Sequence, residues 1–518
     1  MSSALHAQNV VATSQALAAQ AGLDAMRRGG NAIDAAVATA IALSVVEPVS
    51  NGVGGDMFAI VWDGEKLHGL NASGRSPLAL RRSDYAGFAH VPLKGWEAVA
   101  VPGAVSGWVA LSQKFGKLRF AELFGAAIDY AGHGFPVGQV VGAKWAREAQ
   151  RLRDQPGFVD VFAPGGKAPS IGECFRNPAL ARSLKAIAES DGAALYDGEV
   201  GAALVRHATT HGGKLSMQDL QGHDVQWQQP LSVRYRDCEI WQLPPNGQGL
   251  TALLGMGLLN RFDRSLDDAQ WVHLQAECIK QSFAQMYPYL ADDRHLARAP
   301  ADWLLPESID ALAAQISHVN AADYGHATPP WGGTVYLTAA DAQGRMVSLI
   351  QSTFFGFGAG VTVPETGIHL NNRLACFSLD AAHPNVLAGG KRPMNTIIPG
   401  FVTRNGLPAY SLGVTGGPIQ PQGQMQLLTR MIDDGLNPQQ AVEARRWKIE
   451  HANGGTQLDL ETDFDAAMAL DLRARGHRKD VPGITGLDFG GAYVLQCLPD
   501  HVYVAASDPR RDGAAVGF

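Results

Sequence analysis

The sequence predicts an α+β protein folded as one compact body, and three observations carry that prediction. Apolar residues recur at helical spacing in some segments and alternate at strand spacing in others. No Pro/Ser-rich linker or block of like charge divides the chain. No repeat of solenoid or propeller period is present. The 518 residues are 46% hydrophobic and 18% charged, ample material for a core. Length alone suggests about two to four conventional domains, but layered sheets flanked by helices run past that size as one unit.

The charge balance excludes some partners. The 42 basic and 49 acidic residues give a net charge of -7 and are spread along the chain. No basic stripe is available to neutralise phosphates, so nucleic acid is not an expected partner. The first residues, Met1 to Gln8, lack a basic stretch followed by an apolar one, which points to a cytoplasmic protein. The longest apolar run, Ala35 to Val46, is too short to cross a bilayer and reads as a buried helix. Cys174, Cys238, Cys278, Cys376 and Cys497 form no CxxC pair and no metal-ligand spacing with histidine, so free thiols and no metal are expected.

In the N-terminal half, apolar positions from Ser14 to Arg28 have helical spacing, and Gly29-Gly30 supplies a left-handed stop. Asn31 caps a second helix, Ala32 to about Leu43, apolar nearly all round. The glycine-rich turn Asn51 to Asp56 precedes an alternating strand, Met57 to Trp62, and not the helix that a phosphate-cradling loop requires. Arg75 stands where a later strand gives way to Ser76-Pro77. A guanidinium there can grip a carboxylate, although a lone arginine in a sequence is ordinarily a surface charge.

The C-terminal half carries the candidate chemistry. Trp331-Gly-Gly-Thr334 opens a strand to Ala340, a tight turn spans Asp341 to Gly344, and Arg345 to Ser352 forms the returning strand of a hairpin. Lys391 to Pro399 leads into another strand. Tyr410 to Gly417 passes into a helix-like run near Gln420, where glycine amides can hold an oxyanion.

Nine segments in order now resemble the gamma-glutamyltranspeptidase family: Gly29 to Ala36, Val53 to Gly55, Gly74-Arg75, Val101 to Gly107, Pro244 to Gly249, Thr334 with its hairpin, Lys391 to Pro393, Gly416-Gly417 and Ala506 to Arg510. The resemblance covers nearly the whole chain. It implies a four-layer αββα sandwich of the N-terminal nucleophile hydrolase type and a precursor that cuts itself between Gly333 and Thr334. Fragments 1–333 and 334–518 would then pair as a heterodimer, with higher assembly left open. By resemblance Thr334 is the nucleophile, Ser352 supports it and the amides of Gly416 and Gly417 form the oxyanion hole. Arg75, Asn395, Thr396, Phe354 and Cys376 occupy substrate-binding positions. The chemistry needs no cofactor, because a free α-amino group with a pKa near about 8 can serve as base for its own residue's hydroxyl.

The chain departs from the family's pattern where gamma-glutamyl enzymes hold the substrate's ammonium. Phe354 and Cys376 stand in place of an asparagine and an aspartate, and Val335-Tyr336 follow Thr334 in place of Thr and His. A buried ammonium without a partner is costly, so glutathione should bind poorly. Phrases such as Ile350 to Ser352 and Thr396 to Phe401 are similar to a signal-less branch that includes oxamate amidohydrolases of purine-ring nitrogen catabolism. Oxamate has a carboxylate and no ammonium. The expected activity is hydrolysis of a small carboxylate-bearing amide, oxamate being favoured. A gamma-glutamyl hydrolase or transpeptidase and a glutaryl or cephalosporin acylase are the enzyme alternatives. An unprocessed, non-catalytic binding module is the alternative from another class.

Overall fold

In the computed structural model, described for residues 4–264, 266–325, 332–452, 455–478 and 486–518, two antiparallel sheets of seven strands each lie face to face. The first sheet runs Leu5–Ala7, Tyr503–Ser507, Ala492–Cys497, Leu407–Val414, Gly400–Arg404, Cys238–Gln242, Leu231–Tyr235. The second runs Ala514–Gly517, Val10–Thr13, Gly333–Ala340, Met346–Phe354, Asp56–Trp62, Leu67–Ala72, Gln226–Gln228. Each sheet therefore combines strands from the two ends of the chain, which joins residues before and after Gly333 into one body. Trp331 lies outside the described residues.

Alternation along the strands sorts side chains between layers. In Asp56–Trp62, Met57, Ala59 and Val61 face a helix layer, whereas Phe58, Ile60 and Trp62 face the other sheet. Gly333–Ala340 does the same with Val335 and Leu337 on one side and Tyr336 on the other. This two-residue period is what lets one strand serve two cores. Helices Ala16–Arg27, Ala32–Val46 and Ala104–Phe115 cover the second sheet. Gly249–Leu259, Asp268–Met286 and Ile419–Ile432 cover the first. The expected αββα sandwich is the observed one.

Helix Ala32–Val46 shows how the layers are fixed. All 15 residues are buried, so the helix runs three residues further than the apolar pattern suggested. Its few polar groups are satisfied within the fold: Thr39 donates to Ala35 and Ser44 to Ile41. Asn31 and Asp34 form a reciprocal capping box, and the Asp34 carboxylate also accepts from Lys117. The Asp341 carboxylate, in the hairpin turn, accepts the Ala32 amide at 2.9 Å and favours the positive end of this helix. Each fully buried Val, Ile or Leu adds roughly 1.5–3 kcal/mol of apolar burial, and that burial holds the hairpin against the helix.

Most of the sequence segments quoted above meet along one rim. Gly103 N donates to Gly55 O, Val101 N to Arg75 O, and Asn395 N to Asn246 O. Gly74 N donates to Asp56, and Asn371 Nδ2 to Gly54 O. At Gly74 a side chain is sterically barred, because a Cβ would stand 1.6 Å from Val101 O. All five cysteines are free, as expected. Among the described residues, no helix is long and apolar enough to cross a membrane.

Candidate active site

Thr334 opens a central strand of the second sheet and is only 5% exposed. A register shift places it: Gly333 pairs with Phe354, but Val335 pairs with Gln351. The returning strand thus carries one extra residue opposite Thr334, a bulge that re-aims local side chains. Phe354 absorbs the bend with φ of 80°, a left-handed conformation costly for a bulky residue. The bulge is held from behind, where Gln351 donates to Ala40 O and Asn51 and accepts from Trp108 Nε1.

Three oxygen atoms then fall in a row. Thr334 Oγ1 donates to Ser352 Oγ at 3.5 Å, and Ser352 Oγ donates to Gly333 O at 2.5 Å. Phe354 N donates to the same Ser352 oxygen at 2.8 Å, which fixes the rotamer. A hydroxyl therefore donates to the carbonyl on the amino side of Thr334 and accepts a hydrogen bond from the Thr334 hydroxyl.

Gly416 and Gly417 lie at the end of strand Leu407–Val414 and just before helix Ile419–Ile432, with φ of 113° and 68°. Consecutive positive φ values turn the chain sharply ahead of a helix N-terminus, where amides and helix dipole favour negative charge. Among the described residues neither amide donates a hydrogen bond. The Gly417 carbonyl is fixed from behind by Gln248 Nε2 at 3.0 Å.

A cavity of about 520 Å³ opens beside Thr334, bounded by Gly332, Gly333, Thr415 and Gly416. Its charged wall was not read from the sequence: Lys144, Arg147, Lys448 and Arg511 face Glu148, Glu450 and Asp488. These residues come from distant parts of the chain, and no short motif announced them. Glu148 is held by Arg151 at 2.6 Å, and Glu450 by Lys448 at 3.1 Å.

The expected substrate-binding residues form a separate, tightly packed group. Asn395 Nδ2 donates to Asp56 at 3.0 Å, and Thr396 Oγ1 accepts from Arg373 at 3.2 Å. Arg373 is fully buried, bonded to Asp56 at 2.7 Å. Its guanidinium lies 4.8 Å from the Phe354 ring and 3.8 Å from Cys376 Sγ. One of its terminal nitrogens has no hydrogen-bond partner. Burial pushes the Cys376 thiol up, so it is not a thiolate. Asp56 and Arg373 were missed as site residues, although Asp56 directly follows the quoted Val53 to Gly55 segment. Arg75 is occupied by Asp292 at 3.2 Å and Asp224 at 3.5 Å. A substrate carboxylate would have to displace these partners.

One cluster has metal-ligand composition: donor atoms of His273, Glu277 and His477 lie within 4.8 Å of one another. They are engaged with each other, His273 to His477 at 2.9 Å, and Lys280 sits 2.6 Å from Glu277 and 3.4 Å from His477. The lysine ammonium supplies the cation that balances this buried carboxylate.

Fold and site together define the class, an amide-cleaving hydrolase of the N-terminal nucleophile type. The profile of the family described as gamma-glutamyltranspeptidase matches residues 18–518, and the chain belongs to that family. It is 36% identical to the glutathione hydrolase-like YwrD proenzyme of Bacillus subtilis, over 100% of this chain and 99% of that one. It is also 36% identical to the oxamate amidohydrolase proenzyme of Klebsiella pneumoniae, over 99% of this chain and 100% of the relative. Among solved structures, a cephalosporin acylase from Bacillus halodurans superposes with a TM-score of 0.94 at 40% identity, covering 100% of this chain and 97% of that one.

Proposed function

We propose that this chain is a precursor that cuts itself before Thr334 and then hydrolyses a small carboxylate-bearing amide through an acyl ester on that threonine. The hydrogen-bonded row Thr334 Oγ1, Ser352 Oγ, Gly333 O is the observation that carries the reading. The hydroxyl of Thr334 attacks the Gly333 carbonyl carbon, and Ser352 relays the departing proton to the leaving Thr334 nitrogen. The Gly333–Thr334 C–N bond breaks, leaving an ester and a free α-amino group. Water then cleaves the ester to a Gly333 carboxylate and restores the Thr334 hydroxyl. Fragments 1–333 and 334–518 stay together because each sheet contains strands from both.

In turnover the free amine of Thr334 takes the proton of its own hydroxyl as that oxygen attacks the substrate amide. The amides of Gly416 and Gly417 stabilise the oxyanion, a contribution of about 3 kcal/mol per donor. The amine half leaves with the proton, and water resolves the acyl ester.

The substrate is expected to lack the α-ammonium of a gamma-glutamyl group. The positions that would hold one are Phe354 and Cys376, and the adjacent charged group is the Arg373 guanidinium. Oxamate fits that restriction, as does the similarity to an oxamate amidohydrolase. Thr396 accepts from Arg373 and Asn395 donates to Asp56, which also binds Arg373, so these two are the first candidates to meet so short a carboxylate. A glutaryl or gamma-glutamyl amide is the second reading, favoured by the cavity of about 520 Å³, which is drug-sized and far larger than oxamate. The test is the intact mass of purified protein followed by ammonia release from oxamate and p-nitroaniline release from glutaryl and gamma-glutamyl p-nitroanilides. Two masses with ammonia support the first reading, and two masses with only p-nitroaniline support the second. A single mass with no product overturns both.

A further inference from the structure

The cavity beside Thr334 has a wall that the proposed chemistry leaves unused. Lys144, on helix Gln139–Leu152, and Arg511, after the Ala506 to Arg510 segment, both face it. Among the described residues Lys144 donates no hydrogen bond and forms no ion pair. Arg511 donates only to the carbonyls of Arg510 and Leu487, each at 2.9 Å. Most of the nearby carboxylates have other partners, Glu450 among them with Lys448 at 3.1 Å, and Asp488 lines the same cavity. Asp512 accepts the amides of Val140 and Val141, Asp508 is held by Arg446 and Arg510, and Glu148 is held by Arg151. Glu47, bonded to Ser14, attracts Lys144 and Arg511 through space and, among the described residues, forms no direct ion pair with either.

Two cations sharing a cavity wall repel each other, and the half-buried Lys144 ammonium loses hydration with only the through-space attraction of Glu47 and Asp512 to offset it. Burial and the neighbouring Arg511 hold the Lys144 ammonium down at about 8. An anion between the two side chains would relieve both costs.

We infer that Lys144 and Arg511 form an anion-binding subsite that seats a carboxylate of the substrate at the cavity wall beside Thr334. The subsite deepens the proposed function and rests on Thr334 being the reacting residue. It assigns the carboxylate a partner other than Arg75, whose guanidinium already has two. The carboxylate belongs either to the acyl half of the amide or to its amine half. A cavity of this size accommodates an amine half much larger than ammonia.

The test is calorimetric titration of wild-type protein, Lys144→Met and Lys144→Arg with four probes. Glutarate carries the anion of an acyl half and 4-aminobenzoate that of an amine half; glutaramide and aniline are their neutral counterparts. Intact mass is measured on the same samples. At least one anion should bind wild-type protein more tightly than its neutral counterpart. Lys144→Met should weaken that binding by about ten- to hundredfold, the affinity equivalent of one charged hydrogen bond, and Lys144→Arg should restore most of it. A glutarate response places the carboxylate on the acyl half, and a 4-aminobenzoate response places it on the amine half. The subsite is overturned if neither anion outbinds its neutral counterpart, or if Lys144→Met binds both anions as wild type does. Anion binding by a protein of single mass would sink the self-processing reading and leave the subsite standing, so the two failures are distinguishable.

Discussion

Replacing Ser352 by alanine removes one oxygen that makes three contacts. It donates to Gly333 O at 2.5 Å and accepts from Phe354 N at 2.8 Å and Thr334 Oγ1 at 3.5 Å. The first contact matters for rate, because negative charge grows on Gly333 O as the threonine hydroxyl attacks. A donor aimed at a developing oxyanion is worth about 3 kcal/mol, roughly a hundredfold in rate. The second matters for stability, since a buried amide left without its acceptor costs about 1–3 kcal/mol. Ser352→Ala should therefore fold with a lowered melting temperature and appear as fragments 1–333 and 334–518 about a hundredfold more slowly. Ser352→Thr, which retains the hydroxyl, should recover most of the rate. The assay is a time course of intact mass after synthesis, with circular dichroism to confirm folding. Folded Ser352→Ala that cleaves within about threefold of wild type would show that the hydroxyl contributes less than about 1 kcal/mol, which refutes the relay.

Three further outcomes are expected. Thr334→Ala should remain one chain with no amidase activity, read on a denaturing gel and by product release; a processed Thr334→Ala protein would exclude this threonine as the self-cleaving residue. Arg75→Ala should still self-cleave, because Asp292 retains Arg294 at 2.9 Å and the Arg392 amide at 2.8 Å. Its KM for carboxylate amides should stay near the wild-type value, because Lys144 and Arg511 seat the carboxylate; a rise of about tenfold or more, as loss of a charged hydrogen bond implies, would return that role to Arg75. Stability should fall between pH 7 and pH 5, because burial holds His369 down at about 4 and His223 at about 3. Their folded values lie below the free value near 6.5, so the stabilisation is complete above that pH. Below it each group loses about 1.4 kcal/mol per unit until its folded value is reached. Urea unfolding at pH 7, 6 and 5 measures this slope, and a flat profile would contradict it.

Much of the framework is local enough to read from the chain. The apolar run from Ala32, the capping Asn31, the strand at Met57 and the hairpin around Asp341 to Gly344 are set by periodicity and turn chemistry within a few residues. All four are present. The family was legible for a related reason: its segments are the places where backbones approach closely or bend sharply. Gly74 against Val101 and the left-handed pair Gly416-Gly417 admit few residue types, so they leave a recognisable spelling.

The environment of each charge was not legible, because a partner is chosen by the fold and not by a neighbour in sequence. Arg75 reads as a free guanidinium until Asp224 and Asp292, more than a hundred residues away, close on it. Arg373 reads as one arginine among many until the packing seals it against Asp56 and Phe354. Lys144 and Arg511 are far apart in the chain and become neighbours only where the fold brings both to one cavity. The sequence by itself determined the elements, the family and the residue proposed to react. Tertiary structure alone decided which charges are paired and which face the cavity, because Coulomb interactions act through space and burial multiplies their weight.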